Sequence, residues 1–407
     1  MIVVETFKIA LAAIWANRLR SALTLLGVII GVTSVITIIS ALEGLMQSFE
    51  DELAALGPKT FILTKFGIIT SDEEFFKALK RKNFEMDDIE AIKKGCPDCL
   101  EVAARSYRSA SVKRGANGLN NVLVMGATDN IIRVVDFEVD YGRTFTSDEY
   151  LRRNQVAFVG PTIVEECFEG LDPIGKVVKI SGRKFTVIGV AKKRGSFMGN
   201  NQDNFVMIPL STQIKMFGNP GRRLNLMIKA RTVEELPETM DQVRAIMRAR
   251  RGVEYNEEDD FAILTADNIL SFVENTTRGI RIALVAISSI SMVVGGIVIM
   301  NIMMVSVTER TREIGIRKSI GARRNNILLQ FLFESLVLSL GGGIIGTTLG
   351  ISIAAILGGQ ISLPISPSLM AISAGLSIST GVGVFFGLYP AVKASKLDPI
   401  EALRFEN

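Results

Sequence analysis

The chain has 407 residues, of which 48% are apolar and 22% charged, with a net charge of +4 and no histidine. That balance is too apolar for an ordinary soluble protein, and the lack of imidazole excludes Ser-His-Asp and Cys-His nucleophile pairs, His-ligated zinc or haem, and a near-neutral pH switch. No basic patch is interleaved with aromatic residues as nucleic-acid binding requires, so the positive excess reads as basic loops held on the cytoplasmic side of a membrane.

In chain order, residues 1–20 read as a cytoplasmic N-terminal amphipathic segment. Ser21 to Leu42 then runs uncharged, about 33 Å of helix at about 1.5 Å per residue, which spans a hydrocarbon core. The run passes into Glu43, Glu50, Asp51 and Glu52 rather than a small-residue cleavage site, so it is expected to stay as transmembrane helix 1. Residues 43–278 are predicted to form a mixed α/β domain. Strand-like runs occur at Thr60–Lys65, Ala110–Lys113, Asn121–Met125, Gln155–Val159, Lys176–Ile180, Lys184–Val190, Phe205–Ile208, Leu224–Ala230 and Phe261–Leu264. Helical spacing appears at Phe84–Lys94 and Thr232–Arg250, and the strand-dense stretch from about 150 to 220 reads as an inserted subdomain.

A second span is expected at 282–308, a cytoplasmic loop at 309–326, a third span at 327–357, a fourth at 369–392 and a cytoplasmic tail at 393–407. The last two spans divide near Gly358-Gly359-Gln360, Pro364 and Pro367. Lys8, Arg18 and Arg20, six basic residues from Arg310 to Arg324, and Lys393, Lys396 and Arg404 lie on one side; Lys59, Arg278 and Arg281 lie near the other. Twelve against three predicts both termini inside and the 43–278 domain outside. Gly27/Gly31, Gly342/Gly346, Gly346/Gly350 and Gly383/Gly387 have the small-xxx-small spacing of close helix packing, within the chain or between two copies. Glu334 is the lone charged residue inside the last two spans. It reads either as a helix-to-helix contact or as a carboxylate near the cytoplasmic headgroups.

Gly170-Leu-Asp-Pro-Ile-Gly175-Lys176 matches most of a phosphate-binding loop. Val177 offers no hydroxyl for magnesium, and Lys176–Ile180 looks like a strand where a helix must start, so a turn before a strand is expected instead. Of Cys96, Cys99 and Cys167, the first two form a Cys-x-x-Cys pair expected to be a disulfide in an oxidising compartment, with no further ligands for a metal site. No constellation of nucleophile and base appears, so no catalytic residue is expected.

Thr308-Glu-Arg-Thr-Arg-Glu-Ile-Gly-Ile-Arg-Lys-Ser-Ile-Gly-Ala-Arg-Arg324, with Ile327-Leu-Leu-Gln-Phe-Leu-Phe-Glu-Ser335 after it, closely resembles the permeases of MacB/FtsX-type ABC transporters. Asn17-Arg-Leu-Arg-Ser-Ala-Leu-Thr-Leu-Leu-Gly-Val-Ile-Ile-Gly31 and Gly387-Leu-Tyr-Pro-Ala-Val-Lys-Ala-Ser-Lys-Leu-Asp-Pro-Ile-Glu-Ala-Leu-Arg404 extend the resemblance to both ends, and Asp172–Lys176 and Phe185–Gly189 carry it into the middle. The resemblance implies a homodimeric permease of the cell or inner membrane with four transmembrane helices and a large porter-like α/β domain outside. It implies a partner ABC ATPase that supplies ATP and Mg, with no cofactor on this chain; MacB carries its ATPase ahead of the first span, whereas only about twenty residues precede it here, so the ATPase is expected on a separate polypeptide. The 309–326 loop is then the ATPase-coupling segment. Glu309, Arg312, Glu313, Arg317, Lys318 and Arg323 are expected to present charge, Ile314 and Ile316 to anchor, and Gly315, Gly321 and Ala322 to allow close approach. Export of a drug, peptide or lipid-linked substrate with a membrane-fusion adaptor is the leading expectation. A regulator of a cell-wall hydrolase, as FtsX is, and a lipoprotein-releasing permease are the alternatives.

Overall fold

A long uncharged run can satisfy its own backbone N–H and C=O groups in a bilayer only as a helix. In the computed structural model, four helices among the described residues are long and apolar enough to cross a membrane. Residues 18–135, 137–361, 363, 365 and 369–404 are described; most of the expected 1–20 segment, and Pro364 and Pro367 between the last two spans, lie outside them. The chain divides into two compact units, one of residues up to Gln47 and from Glu274 onward, the other Ser48–Val273.

Helix α1 (Arg18–Ala54) carries the first uncharged run and continues beyond it through the acidic residues. The α/β unit follows as β1 (Thr60–Thr64), α2 (Asp72–Lys80), α3 (Met86–Gly95), β2 (Cys99–Arg114), β3 (Asn117–Ala127), α4 (Ile131–Val134) and β4 (Val139–Gly142). Then come α5 (Ser147–Leu151), β5 (Val156–Val159), α6 (Pro161–Phe168), β6 (Val177–Ile180), β7 (Arg183–Ala191), β8 (Ser196–Phe197), β9 (Asn200–Asn201) and β10 (Phe205–Pro209). Helix α7 (Leu210–Phe217), β11 (Leu224–Ala230), α8 (Leu236–Arg251) and β12 (Ala262–Thr265) complete it. One sheet runs β12-β1-β11-β2-β3-β10-β5-β7-β4, with β6 pairing both β2 and β7, while β8 and β9 pair only with each other. Strand β10 lies parallel to β3 and β5 parallel to β7. The β2–β3 hairpin turns at Gly115, whose φ of +61° suits glycine.

Both faces of the sheet are covered at β1, β5 and β10, which are buried at successive positions, whereas β6 alternates and β4 is exposed throughout. Phe61 and Leu63 of β1 point to a core closed by α3 and α8 through Ile92 and Met247. Between them, Ile62 points to the opposite core with Met207, Met227 and Phe158. A further core gathers Val112, Val122 and Val124 with Phe168 of α6 and Phe185 of β7. It draws on the β2–β3 hairpin as well as on the 150–220 stretch expected to form an inserted subdomain. Each fully buried Phe, Leu or Ile here contributes about 1.5–3 kcal/mol.

The membrane unit consists of the greater parts of α1 and of α9 (Ala266–Glu309), with α10 (Thr311–Ser319), α11 (Arg324–Ile361), α12 (Leu369–Lys396) and α13 (Pro399–Arg404). The glycine pairs lie where these helices meet within one chain. A Cβ on Gly27 would stand 2.6 Å from Gly295 Cα, and one on Gly346 would stand 2.9 Å from Ile29 O. One on Gly383 would collide with Ser339 Oγ. Thr33 Oγ1 donates to Gly346 O at 3.0 Å and Thr37 Oγ1 to Gly350 O at 3.3 Å, so the close approach also satisfies hydroxyls that lipid cannot.

Candidate functional site

Between the second and third membrane helices the chain makes a short helix, α10, in place of an irregular loop. Arg310 breaks α9 from α10, and Gly321, at φ +99°, makes the turn into α11. One face of α10 is fixed to its own unit. Ile314 is 3% exposed and belongs to the bundle core with Val307, Phe331 and Ala394. A Cβ on Gly315 would meet Ala402 Cβ at 2.8 Å, so glycine here lets α13 lie against α10. Lys318 Nζ donates to the backbone carbonyls of Ser395 and Leu397, both at 2.7 Å. These carbonyls end α12, where the negative end of the helix dipole favours a cation. Arg324 Nε donates to Ser395 Oγ at 3.3 Å, which ties the start of α11 to the same point.

The other face is open. Arg312, Glu313, Ile316, Arg317, Ile320 and Arg323 are exposed, with Ile316 at 44% and Ile320 at 80%. Glu309 and Gly321 are exposed beside them, and Ala322 is half-buried. Arg317 leans on Gln330 Oε1 at 2.7 Å, which orients its guanidinium without neutralising it. The residues expected to couple therefore divide into two sets. Ile314, Gly315 and Lys318 hold α10 in place, while Ile316 and Ile320 form the apolar part of what a partner can touch.

Glu334 lies on α11 with 6% exposure, and Arg310 Nη1 approaches its Oε2 at 3.2 Å and its Oε1 at 3.3 Å. A carboxylate at low exposure is tolerable when a guanidinium partners it. The pair links the hinge before α10 directly to the helix after it. Sequence alone reveals neither this pairing across 24 residues nor the Lys318 contacts across nearly 80, because no local spacing rule relates those positions. The one usable signal was the presence of a single carboxylate in an apolar run, which demands a partner.

In the α/β unit, Cys96 and Cys99 sit where α3 turns into β2, with sulfurs 2.03 Å and Cα atoms 5.4 Å apart, and Cys167 is buried in α6. The Gly170–Lys176 segment leads straight into β6, with Gly170 and Gly175 at φ +82° and +74°. No helix start receives a phosphate there.

Residues 21–246 match the MacB-like periplasmic core domain and residues 285–399 match the FtsX-like permease C-terminal domain. The macrolide export ATP-binding/permease protein MacB of Bdellovibrio bacteriovorus is 35% identical over 393 residues, covering 96% of this chain but 60% of that protein. The chain thus spans about three fifths of that relative's length. An uncharacterized ABC transporter permease, YknZ of Bacillus subtilis, is 33% identical over 409 residues and is matched along 100% of both chains. Among solved structures, the periplasmic region of MacB from Actinobacillus actinomycetemcomitans aligns at 20% identity and a TM-score of 0.45, covering 56% of this chain and 98% of that one. With two family domains matched in order and four membrane helices flanking the α/β unit, the chain belongs to the MacB/FtsX-like family of ABC transporter permeases.

Proposed function

We propose that the chain is a non-catalytic permease subunit that converts ATP hydrolysis by a separate cytoplasmic ABC ATPase into movement of the α/β unit outside the membrane. The observation that carries this reading is the division of α10 into a fixed and an open face. A coupling element must be stiff towards its own bundle and adhesive towards its partner. Ile314, Gly315, Lys318 and the Arg310–Glu334 pair supply the stiffness; Ile316 and Ile320, ringed by Arg312, Glu313, Arg317 and Arg323, supply an apolar anchor with a charged rim. A push on α10 is then transmitted to α9, α11 and α12 together. The working unit on this reading is a homodimer, and ATP and Mg bind only in the partner. Export of an amphipathic drug, peptide or lipid-linked molecule, handed to an adaptor outside the membrane, fits a bundle whose serine and threonine hydroxyls mostly donate to its own backbone carbonyls.

The test is the triple substitution Arg312→Glu, Ile316→Asp and Ile320→Asp in the affinity-tagged full chain, expressed in its host. All three side chains are exposed, so the bundle should fold, and Arg310, Arg323 and Arg324 still hold the loop inside. ATPase activity in the eluate purified from host membranes should fall at least tenfold, as like charges facing one another and a lost apolar anchor cost several kcal/mol. Undiminished activity with the triple variant would remove α10 as the docking element.

A further inference from the structure

Within the α/β unit lies a cavity of about 580 Å³, inside the range of about 300–1,000 Å³ usual for small-molecule sites. Leu53 and Leu56 near the end of α1, Ile62 of β1, Met125 of β3, and Phe137 and Phe205 give it an apolar wall. Eight polar side chains stand against that wall, among them Glu52, Arg105, Arg194 and Asn204. Arg194 is already neutralised, with Nη2 3.2 Å from Glu52 Oε2.

Arg105 differs. Among the described residues no carboxylate lies within ion-pair distance of it, and its guanidinium carbon stands 5.3 Å from the centre of the Tyr107 ring. Its Nε is buried and has no hydrogen-bond acceptor. Asn204 Oδ1, lining the same cavity, is buried and has no donor. Burial holds the Tyr107 hydroxyl above its usual pKa, with Glu52 adding to the rise and Arg105 and Arg194 opposing it. A buried guanidinium N–H and a buried amide oxygen each left unpaired are costly, so a bound molecule that pairs both gains what they now lack.

We propose that this cavity binds a small amphipathic anion of the N-acyl amino acid type: a carboxylate on Arg105, an adjacent amide N–H donated to Asn204 Oδ1, and a hydrocarbon chain against the apolar wall. An ionised acceptor suits an arginine because the charge-assisted bond is about twice as strong as a neutral one. The acyl chain accounts for the leucine, methionine and phenylalanine that line the cavity with Arg105. The inference goes beyond the coupling reading and does not depend on it, since no ATPase takes part.

The experiment uses the purified full chain in amphipol and N-decanoylglycine bearing a diazirine in its chain, with cross-linked peptides mapped by mass spectrometry. Labelling should fall on peptides holding Leu53–Ile62, Met125 and Phe205. Unlabelled N-decanoylglycine should compete at least tenfold better than its uncharged amide, N-decanoylglycinamide. Arg105→Gln should reduce labelling at least fivefold while Arg105→Lys retains most of it. Asn204→Asp, which places a carboxylate against that of the ligand, should also abolish labelling, and it decides the matter if Arg105→Gln fails to fold. Equal labelling of folded Arg105→Gln and wild type, equal competition by the amide, or labelling confined to the membrane helices would overturn the proposal.

Discussion

Glu149 shows how one side chain can hold a local structure and set its acid sensitivity. Its carboxylate takes two hydrogen bonds from Arg143, at 2.7 and 2.8 Å, and one from the Thr146 backbone N–H at 2.9 Å, closing a capping box at the start of α5. The Arg143 contact, ahead of the Thr146 bonds, holds the carboxyl far below its ordinary 4.5, down to about 2. A group whose folded pKa is depressed stabilises the fold fully above its unfolded value and loses that contribution as pH falls through the folded one. The stabilisation is therefore complete above about pH 4.5 and disappears towards pH 2. Glu149→Gln should cost about 1 kcal/mol at neutral pH, a modest figure because half of the Arg143 side chain is open to water. The thermal midpoint of the variant should also fall less steeply than that of wild type between pH 4.5 and 2. Parallel curves across that window would exclude this pair as an acid-sensitive contact.

Elements were legible in the sequence where burial dictates a period and illegible where tertiary contact decides. Every strand-like run read from β-branched residues corresponds to a strand, but β2 begins at Cys99 rather than near Ala110, because its first half carries Glu101 and Arg105 on a strand held by β11. Helices α2, α6 and α7 escaped notice because each is under three turns long, too short for a convincing 3.6 period; Pro161 at the first turn of α6 was the available signal. Likewise the 309–326 segment is legible as a motif, but not the fact that Ile314 and Lys318 face inward. Glycine spacing was informative, and its consequence can be measured between α11 and α12. Ser335 and Ser339 donate back to Leu332 O and Leu336 O of their own helix, leaving their side chains flush against Gly387 and Gly383. Gly383→Ala would place a Cβ 2.7 Å from Ser339 Cβ. Overpacking of this kind costs about 1–3 kcal/mol, so the thermal midpoint of the full chain in detergent should drop, and Ser339→Gly should restore it. A drop that Ser339→Gly leaves untouched would locate the strain elsewhere.

At the scale of the whole molecule, the distribution of charge decides which face of the membrane each unit meets. The four membrane helices interleave with the α/β unit once only, between α1 and α9, so a single choice of orientation sets the side of every loop. The twelve basic residues at one set of helix ends against three at the other favour placing α10, α13 and both termini in the cytoplasm and Ser48–Val273 outside. Two exposed positions report this independently. Tyr255, 96% exposed between α8 and β12, marks the α/β unit. Ser319, exposed at the end of α10, marks the segment between α9 and α11. Neither lies in a core, so cysteine at either position should leave the fold intact, and the native Cys167 is buried and Cys96 and Cys99 are joined to each other. Whole cells, their outer envelope permeabilised where one exists, are treated with a membrane-impermeant maleimide. Tyr255→Cys should be labelled at once and Ser319→Cys only after lysis. The reverse pattern would place the α/β unit in the cytoplasm, where α10 could not meet a cytoplasmic ATPase, and the coupling reading would fail with the orientation.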